Sequence, residues 1–365
     1  MTPDRYDAHD LLRFTQATLA GLGLEERNRD RAARAIWQAT LRGVDSHGIR
    51  LLPHYAACVR QGRIEPEPEY ALERRSDTTL VLNAGHGLGH AAAAQAMDLA
   101  VDTARTRGSG FVAVADSTHC GAMAYYAELA AEQGMVGLAF TNASPRVVPP
   151  GAAAPFLGTN PFCFSAPMSG EGPLTYDAAT ALLPFNKVRL YAESGRELPE
   201  GCATDACGRP TRDPDRAVHL QPFGGYKGFG VALFVETLCA LFTGMPFGPD
   251  VSSMFGPDLS TRRRIGHFFG AIDVRGFGDI EHFKKRMSAM AEAIRCLPPC
   301  DGQGAVAPGD PEKAMAAERM ESGIPLAPEE AGRLSGLAAE LGLDFPFPLR
   351  AGLAATTVVQ ERSHA

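Results

Sequence analysis

Two histidines stand in short polar segments where proton chemistry is possible. The first lies in Ser46-His47-Gly48-Ile49-Arg50. An imidazole titrates near neutrality and can give or take a proton. Arg50, three residues on and about one helical turn away, carries a planar fork suited to a substrate carboxylate. On spacing alone the same residues also describe a loop histidine beside a surface arginine. The second histidine, in Ser117-Thr118-His119-Cys120-Gly121, follows a predicted strand ending at Ala115 and precedes a helix. That is the carboxyl end of a sheet strand, where ligands collect in open α/β folds. Cys120 reads as a buried structural thiol, because adjacent residues on a turn rarely reach nucleophile–base geometry. His86 and His90 are four apart but lack a third ligand in sequence, so they read as polar groups at a turn.

Nucleotide fingerprints give a mixed picture. Gly85-His-Gly87-Leu-Gly89 sits between a strand and a helix, but His90 occupies the position where G-x-G-x-x-G needs glycine. No acidic residue ends a strand at the required distance, and no G-x-x-x-x-G-K-[ST] is present, which disfavours a Rossmann dehydrogenase or a P-loop enzyme. Gly224-Gly225-Tyr226-Lys227-Gly228-Phe229-Gly230 opens an apolar helix, so free amides and Lys227 can meet a phosphate there. A tight turn allowing close helix packing is the other reading. Leu157-Gly158-Thr159-Asn160-Pro161 and Asp177-Ala178-Ala179-Thr180 read alone as turn formers, and Lys187 as a solvated lysine.

The elements that must position these residues follow from periodicity. Asp7 to Asp10 offer N-caps before a helix with Leu11, Leu12, Phe14, Leu19 and Leu22 at helical spacing. Further helices are predicted over Glu25 to Arg42 and Ile49 to Gln61, leaving Ser46 and His47 on the loop between them. From Thr78 the pattern alternates: strands at Thr79–Asn83, Phe111–Ala115 and Val136–Asn142, helices at Ala91–Thr106 and Ala122–Gln133. Later strands are predicted at Phe162–Ala166, Leu174–Tyr176 and His267–Val274. Continuous apolar strands alternating with helices imply an α/β sheet covered on both faces. Val147–Leu157 and Leu198–Pro214 read as loops, and the residues after Leu343 as a loose extension.

Composition sets the bounds. The 365 residues carry 35 Lys+Arg against 42 Asp+Glu, a net charge of −7, with 45% hydrophobic and 21% charged residues. A net-acidic chain without a Lys/Arg-dense face argues against nucleic acid, since a phosphate backbone needs a positive counterpart. Arg262-Arg263-Arg264 is too short to change that and reads as a solvated loop or helix end. No secretory leader is visible. The most apolar stretch, Phe229 to Phe247, carries Glu236 and two glycines and reads as a buried helix, not a membrane span. A cytoplasmic protein with reduced thiols and no metal is expected, because none of the eight cysteines has a matching His/Cys cluster at zinc spacing.

Taken together and in order, the motifs are specific. Arg42-Gly-Val-Asp-Ser-His-Gly-Ile-Arg50, Ser117-x-His119-x-Gly121-x-x-x-Tyr125-Tyr126, Gly158-Thr-Asn-Pro161, Asp177-x-Ala-Thr180, Lys187, Gly224-Gly-x-Lys-Gly228, Gly266-His-Phe-Phe269, Pro308-Gly309 and Ser322-Gly-Ile-Pro325 resemble the malate/L-lactate dehydrogenase family of non-Rossmann NAD(P)-dependent oxidoreductases. The resemblance runs from about residue 7 to about 343. It implies an α/β fold with a family-specific mixed sheet covered by helices, and a helical substrate region built from both ends of the chain. The expected regions are 1–75, helical with the Ser-His-Gly motif; 76–257, cofactor-binding; 258–343, closing; and 344–365, a loose tail.

By that resemblance a hydride passes between NAD or NADP and a small anionic 2-oxo or 2-hydroxy carboxylic acid. The family also contains reductases of cyclic imines such as piperideine- or pyrroline-2-carboxylate, and a catalytically divergent cofactor-binding paralogue is a third possibility. His47 is the implied acid/base, with Ser46 and Asp177 as orienting partners, and His119 is a second catalytic candidate. Arg50 is expected to hold the carboxylate, with Asn160 and Thr159 at the nicotinamide end. Asp177, Ala178, Ala179, Thr180, Tyr226, Lys227, Gly309 and Asp310 are expected to contact the cofactor, and a homodimer is expected. The sequence departs from the family pattern at Cys120, Ala181, Asn186 and Cys202.

Overall fold

Asp7 starts the first helix, Ala8–Gly21, by accepting the amides of His9 and Asp10 at 2.9 Å each. A side-chain acceptor at this position satisfies helix donors that otherwise have no partner. The computed structural model describes residues 3–300, 302 and 304–349. Leu11, Phe14 and Leu19 turn inward to meet Ala32, Ala33 and Ile36 of the second helix, Glu26–Leu41, and Leu334, Leu337 and Ala338 of the last, Pro328–Leu341. The two ends of the chain thus share one apolar cluster. Strands Asp4–Tyr6 and Ile324–Leu326 pair antiparallel across the same seam.

The first residues expected in a loose tail are held. Phe345 packs on Tyr6 and Phe14 with ring centroids 5.4 and 5.1 Å apart, and the Leu349 amide donates to the Arg5 carbonyl. The remainder, 350–365, lies outside the described residues.

Seven strands form the main sheet, in spatial order Ala71–Arg74, Thr79–Asn83, Ser109–Ser117, Ile265–Asp273, Met135–Thr141, Phe162–Ala166 and Leu174–Ala178. Thr79–Asn83 runs parallel to Ser109–Ser117, and the other neighbouring pairs are antiparallel. This is the mixed sheet that the resemblance implied. Its middle strand comes from the segment expected to close the fold, so the sheet draws on all three expected regions. The edge strand Ala71–Arg74 is exposed along its length and therefore lacks the apolar alternation that announces a strand.

Helices Gly89–Arg107 and Ala124–Ala131 cover one face, and buried Ala92, Ala93, Ala96, Ala100 and Ala104 let the first lie close on the sheet. The other face is covered only in part, by Tyr226–Glu236 and the wider turn Thr237–Leu241 that continues it. The stretch expected as a buried helix leaves Leu233, Phe234, Leu241 and Phe242 exposed. An apolar groove of about 490 Å³ remains between Val81, Phe111, Phe242 and Phe268. Leu198–Pro214, expected as a loop, supplies Ala203–Thr204 and Pro210–Thr211 to a small sheet with His219–Leu220. Among the described residues no helix is long and apolar enough to cross a membrane.

Candidate active site

The loop after Glu26–Leu41 carries Ser46 and His47 on one short helical turn, Asp45–His47, and Arg50 on the next, Ile49–Leu51. Two contacts fix it. The Thr40 hydroxyl accepts the Ile49 amide at 2.9 Å. Arg319, buried on helix Asp310–Ser322, grips the Asp45 carboxylate through two nitrogens at 2.6 and 3.0 Å and donates to the Thr40 carbonyl at 2.5 Å. Such a fork-to-carboxylate pair fixes direction as well as distance.

Ser46 Oγ lies 2.8 Å from His47 Nδ1. His119, just past strand Ser109–Ser117, stacks its ring on His47 with centroids 5.6 Å apart and planes at 27°. Its Nδ1 is 2.9 Å from the hydroxyl of Tyr55, which projects from helix Leu52–Arg60. His90, in the first turn of Gly89–Arg107, stands 6.0 Å from His119 and 5.2 Å from Tyr55, ring to ring. Gly121 makes the room: its φ is +74°, and a Cβ there would stand 2.7 Å from His90 Nε2. The rings stack instead of converging, and among the described residues no group of three or more His, Cys, Asp or Glu could hold a metal ion.

His90 is buried, whereas His47 and His119 are densely surrounded but keep part of their surface open, as residues lining a cleft do. Burial holds all three rings below the ordinary imidazole range. His47 falls to about 4, with the Arg50 charge adding to the effect; His90 falls to about 3; His119 lies well below, with His47 and His90 adding. All three are neutral at pH 7. With Nδ1 of His119 engaged by Tyr55, Nε2 is the nitrogen left for proton transfer. A hydroxyl both donates and accepts, so Tyr55 can serve either tautomer.

Arg50 is exposed, its Nε 3.5 Å from the Glu330 carboxylate and without another ion-pair partner among the described residues. Asp177 goes elsewhere than expected. Its Oδ2 accepts the amides of Met123 and Ala124 at 2.8 Å each, at the start of helix Ala124–Ala131, and no bond joins it to Ser46, His47 or His119 among the described residues. Crowding raises this carboxyl to about 6 against the pull of those amides, although one side stays open to solvent.

A second cluster of candidates meets where three loops are stitched together. The Thr180 amide and hydroxyl donate to the Thr159 carbonyl at 2.8 and 2.9 Å, and the Phe223 amide donates to the Thr180 carbonyl at 2.9 Å. Ala178 pairs with Phe162 at the end of the edge strand, and Ala179 follows half-buried. Beyond Phe223, helix Tyr226–Glu236 begins with Tyr226 and Lys227 exposed. Gly225 has φ +64° and open space where a side chain would stand. Lys227 has no ion-pair partner among the described residues. Free helix-start amides, an unpaired cation and clear access fit a dinucleotide's phosphates.

Three residues expected at the substrate or cofactor have close neighbours within the protein. Asn160 is fully buried: Nδ2 donates to Glu236 Oε2 at 2.6 Å and the Ala232 carbonyl at 3.0 Å, while Oδ1 accepts the Ala143 amide at 3.1 Å. It anchors Tyr226–Glu236 and has no amide hydrogen left for a substrate. Asp310 is spent on Arg295, at 2.6 and 2.9 Å, and on the Ala307 amide, and Arg295 holds its carboxyl below the usual range. Gly309 backs onto the Thr175 carbonyl at the sheet edge.

Of the departures, Cys120 is buried with Sγ 3.5 Å from His267 Nδ1, and burial pushes its thiol up to about 12, as befits a structural residue. His267 itself is held between Thr141 Oγ1 at 2.7 Å and Ser117 Oγ at 2.9 Å. Ala181 bridges to Pro222, and Cys202 packs in the apolar cluster under the small sheet. The Asn186 side chain lies outside what is described.

Sequence reasoning missed Tyr55, gave His90 only a turn role, and read Arg263 as solvated. Arg263 is buried and, with His119 and Tyr55, lines a narrow recess. Its neighbour Arg264 is exposed beside Asp116, while Arg262 is half-buried and reaches Glu65. The triplet leads directly into strand Ile265–Asp273, and side-chain alternation in an extended segment was the available signal that one arginine of the three turns inward.

Comparison with known proteins agrees with this architecture. The family model for malate/L-lactate dehydrogenase matches residues 6–335. The chain is 33% identical over 331 residues to a malate/(S)-sulfolactate dehydrogenase of Methanothermus fervidus, covering 90% of this chain and 96% of that protein. The sulfolactate dehydrogenase structure from Methanocaldococcus jannaschii matches with a TM-score of 0.88 at 31% identity, over 93% of this chain and 98% of that one. A Δ1-piperideine-2-carboxylate reductase structure from Pseudomonas syringae matches with a TM-score of 0.82 at 30% identity, over 92% and 99%. Other relatives are named as a ureidoglycolate dehydrogenase using NAD(+) and a (2R)-3-sulfolactate dehydrogenase using NADP(+).

Proposed function

Because the chain belongs to the malate/L-lactate dehydrogenase family, it is an NAD(P)-dependent oxidoreductase, and we propose that its substrate is a small 2-oxo or 2-hydroxy carboxylic acid. The nicotinamide, when bound, supplies the hydride acceptor or donor. Lys227 and the amides at the start of Tyr226–Glu236 hold the cofactor's phosphates, with Thr159 and Asp177 to Thr180 on the adjoining loops. Arg50 pairs with the substrate carboxylate, exchanging its long contact to Glu330 for a bidentate one. His119 takes the hydroxyl proton at Nε2 during oxidation and returns it during reduction, while Tyr55 keeps Nδ1 satisfied in both states. His47, oriented by Ser46, backs the reacting ring.

The observation that carries this reading is the neutral His119 ring at the carboxyl end of a sheet strand, Nδ1 engaged and stacked against the loop bearing Arg50. The Ser46–His47 pair favours a second reading, in which His47 protonates a cyclic imine. The likeness to a piperideine-carboxylate reductase supports that alternative.

The test is NAD(P)H fluorescence on mixing the protein with a panel of 2-oxo acids and cyclic imines. Oxidation of the cofactor with 2-oxo acids is expected. Oxidation only with imines moves the assignment to the second reading. Binding without any oxidation points to a paralogue that has lost its chemistry, and failure to bind either cofactor defeats the proposal.

A further inference from the structure

We propose that His90 is a positioning residue of the proton transfer: wedged between Tyr55 and His119, its ring enforces the hydrogen bond that leaves His119 Nε2 free for the substrate. The inference rests on the reading in which His119 moves the proton, and adds to it a residue that touches neither substrate nor cofactor.

His90 stands on the first turn of helix Gly89–Arg107 and is 1% exposed. Neither of its ring nitrogens has a hydrogen-bond partner among the described residues. Burying an imidazole in this way is costly, and its contacts are with rings, not with polar groups. It meets Tyr55 at 5.2 Å and 74°, and His119 at 6.0 Å and 75°. Those two rings are the members of one hydrogen-bonded pair, Tyr55 Oη to His119 Nδ1 at 2.9 Å. A nearly perpendicular approach is a favourable geometry for aromatic rings, and His90 makes it to both. Burial keeps the ring uncharged at neutral pH, so it sets position without placing a charge beside His119.

The same helix turn also fixes the backbone of His119. The Thr118 hydroxyl accepts the Gly89 amide at 2.9 Å and donates to the Gly87 carbonyl at 3.0 Å. A Cβ on Gly89 would stand 2.7 Å from the His119 carbonyl oxygen, so the two backbones lie in direct contact. The His119 ring is then enclosed on three sides. His47 covers a face, with centroids 5.6 Å apart and planes at 27°; Tyr55 engages Nδ1; His90 stands across the remaining side. Without the His90 ring, Tyr55 and His119 would both border an empty space into which either can turn, since close-packed interiors hold side chains by contact. Their hydrogen bond would no longer be enforced, and the nitrogen offered to the substrate would no longer be fixed.

Steady-state kinetics give the first measurement. His90→Ala should lower kcat by about 10- to 10²-fold, the scale of a small misplacement of a reacting group, and leave the KM for the cofactor within about twofold. His90→Met, similar in bulk and without ring nitrogens, should stay within about fivefold of the wild-type kcat, because it refills the wedge. Tyr55→Phe removes the hydroxyl at Nδ1. Because His90 acts through that bond, the double variant of His90→Ala and Tyr55→Phe should lose no more than about twice the larger single loss. A wild-type kcat in His90→Ala, a loss in His90→Met as large as in His90→Ala, or single losses that multiply in the double variant overturns the proposal. A second readout needs no turnover. In protein labelled with ¹⁵N-histidine, the His119 ring signals are identified by their absence from His119→Ala. His90→Ala and Tyr55→Phe should shift the His119 Nδ1 signal in the same direction, and an unmoved signal in His90→Ala overturns the proposal. Should His90→Ala not fold, His90→Val takes its place in both measurements. Wild-type turnover in His119→Ala defeats the proton-transfer reading and the positioning role with it, whereas an unmoved signal beside a slow His119→Ala defeats the role of His90 alone.

Discussion

Around His119 the rings of His119 and His47 are already held by neighbours, although both nitrogens of buried His90 lack a hydrogen-bond partner among the described residues, whereas at Gly224–Lys227 the polar groups face outward and wait. Tyr55 engages one ring, Ser46 the other, and Arg319 pins the loop beneath them. At the glycine turn, helix-start amides and Lys227 meet no protein partner among the described residues, and Tyr226 is 72% exposed. Under the proposed function, the difference follows from what each region would handle. Proton transfer requires an imidazole held in one orientation before the substrate arrives. A dinucleotide brings its own charge and surface, and an open cradle lets it enter and leave.

Three measurements can break or sharpen that contrast. The largest effect belongs to the prearranged side: His119→Ala should lower kcat by on the order of 10²–10⁴, the usual cost of losing a general acid–base group. Steady-state rates of His119→Ala and His47→Ala, side by side, check it; wild-type turnover in both removes the histidine cluster from the chemistry.

Next comes acid sensitivity of the same region. His90 and His267, 1% and 0% exposed, are held to about 3 in the folded protein, while the unfolded chain protonates them near 6.5. Below pH 6.5 the unfolded state binds the extra protons, so stability is intact above that value and declines as pH falls toward 3. At pH 5 each ring costs about 2 kcal/mol. Urea midpoints at pH 7 and pH 5 read this directly, and His90→Asn should remove part of the decline. A midpoint that does not move would mean that the two rings are not held neutral.

The smallest effect belongs to the open side. Lys227→Ala should raise the KM for the cofactor about tenfold, the scale of one charge-assisted contact, and leave kcat within about threefold. A large kcat loss would instead make the turn part of the prearranged machinery.

Much of this was legible in the sequence because it rests on local chemistry. Thr79–Asn83 and Phe162–Ala166 match the predicted strands to the residue, and Asp7 caps the first helix as its position implied. Ser46, His47 and His119 were legible through short motifs on loops. What could not be read was long-range. The pairing of Tyr55 with His119 spans 64 residues, and Asn160 finds Glu236 across 76. A turn-forming asparagine and a buried anchor look alike until the helix that takes its hydrogen bonds is placed. Asp177 has the residue type of a relay member, yet it caps a helix. Arg263 was hidden inside a run of three arginines, since a charge run is normally a surface feature.

Arg319 joins a helix near the end of the chain to a loop near its beginning, 274 residues away. That separation also orders events during synthesis. The core packed on the main sheet can gather as the chain emerges, but the Ser46–His47 loop has no arginine to grip Asp45 until Asp310–Ser322 has been made and docked. The loop that carries Ser46 and His47 is therefore among the last parts of the molecule to be completed. A chain halted before that helix would keep most of its sheet while lacking the clamp that orders the loop.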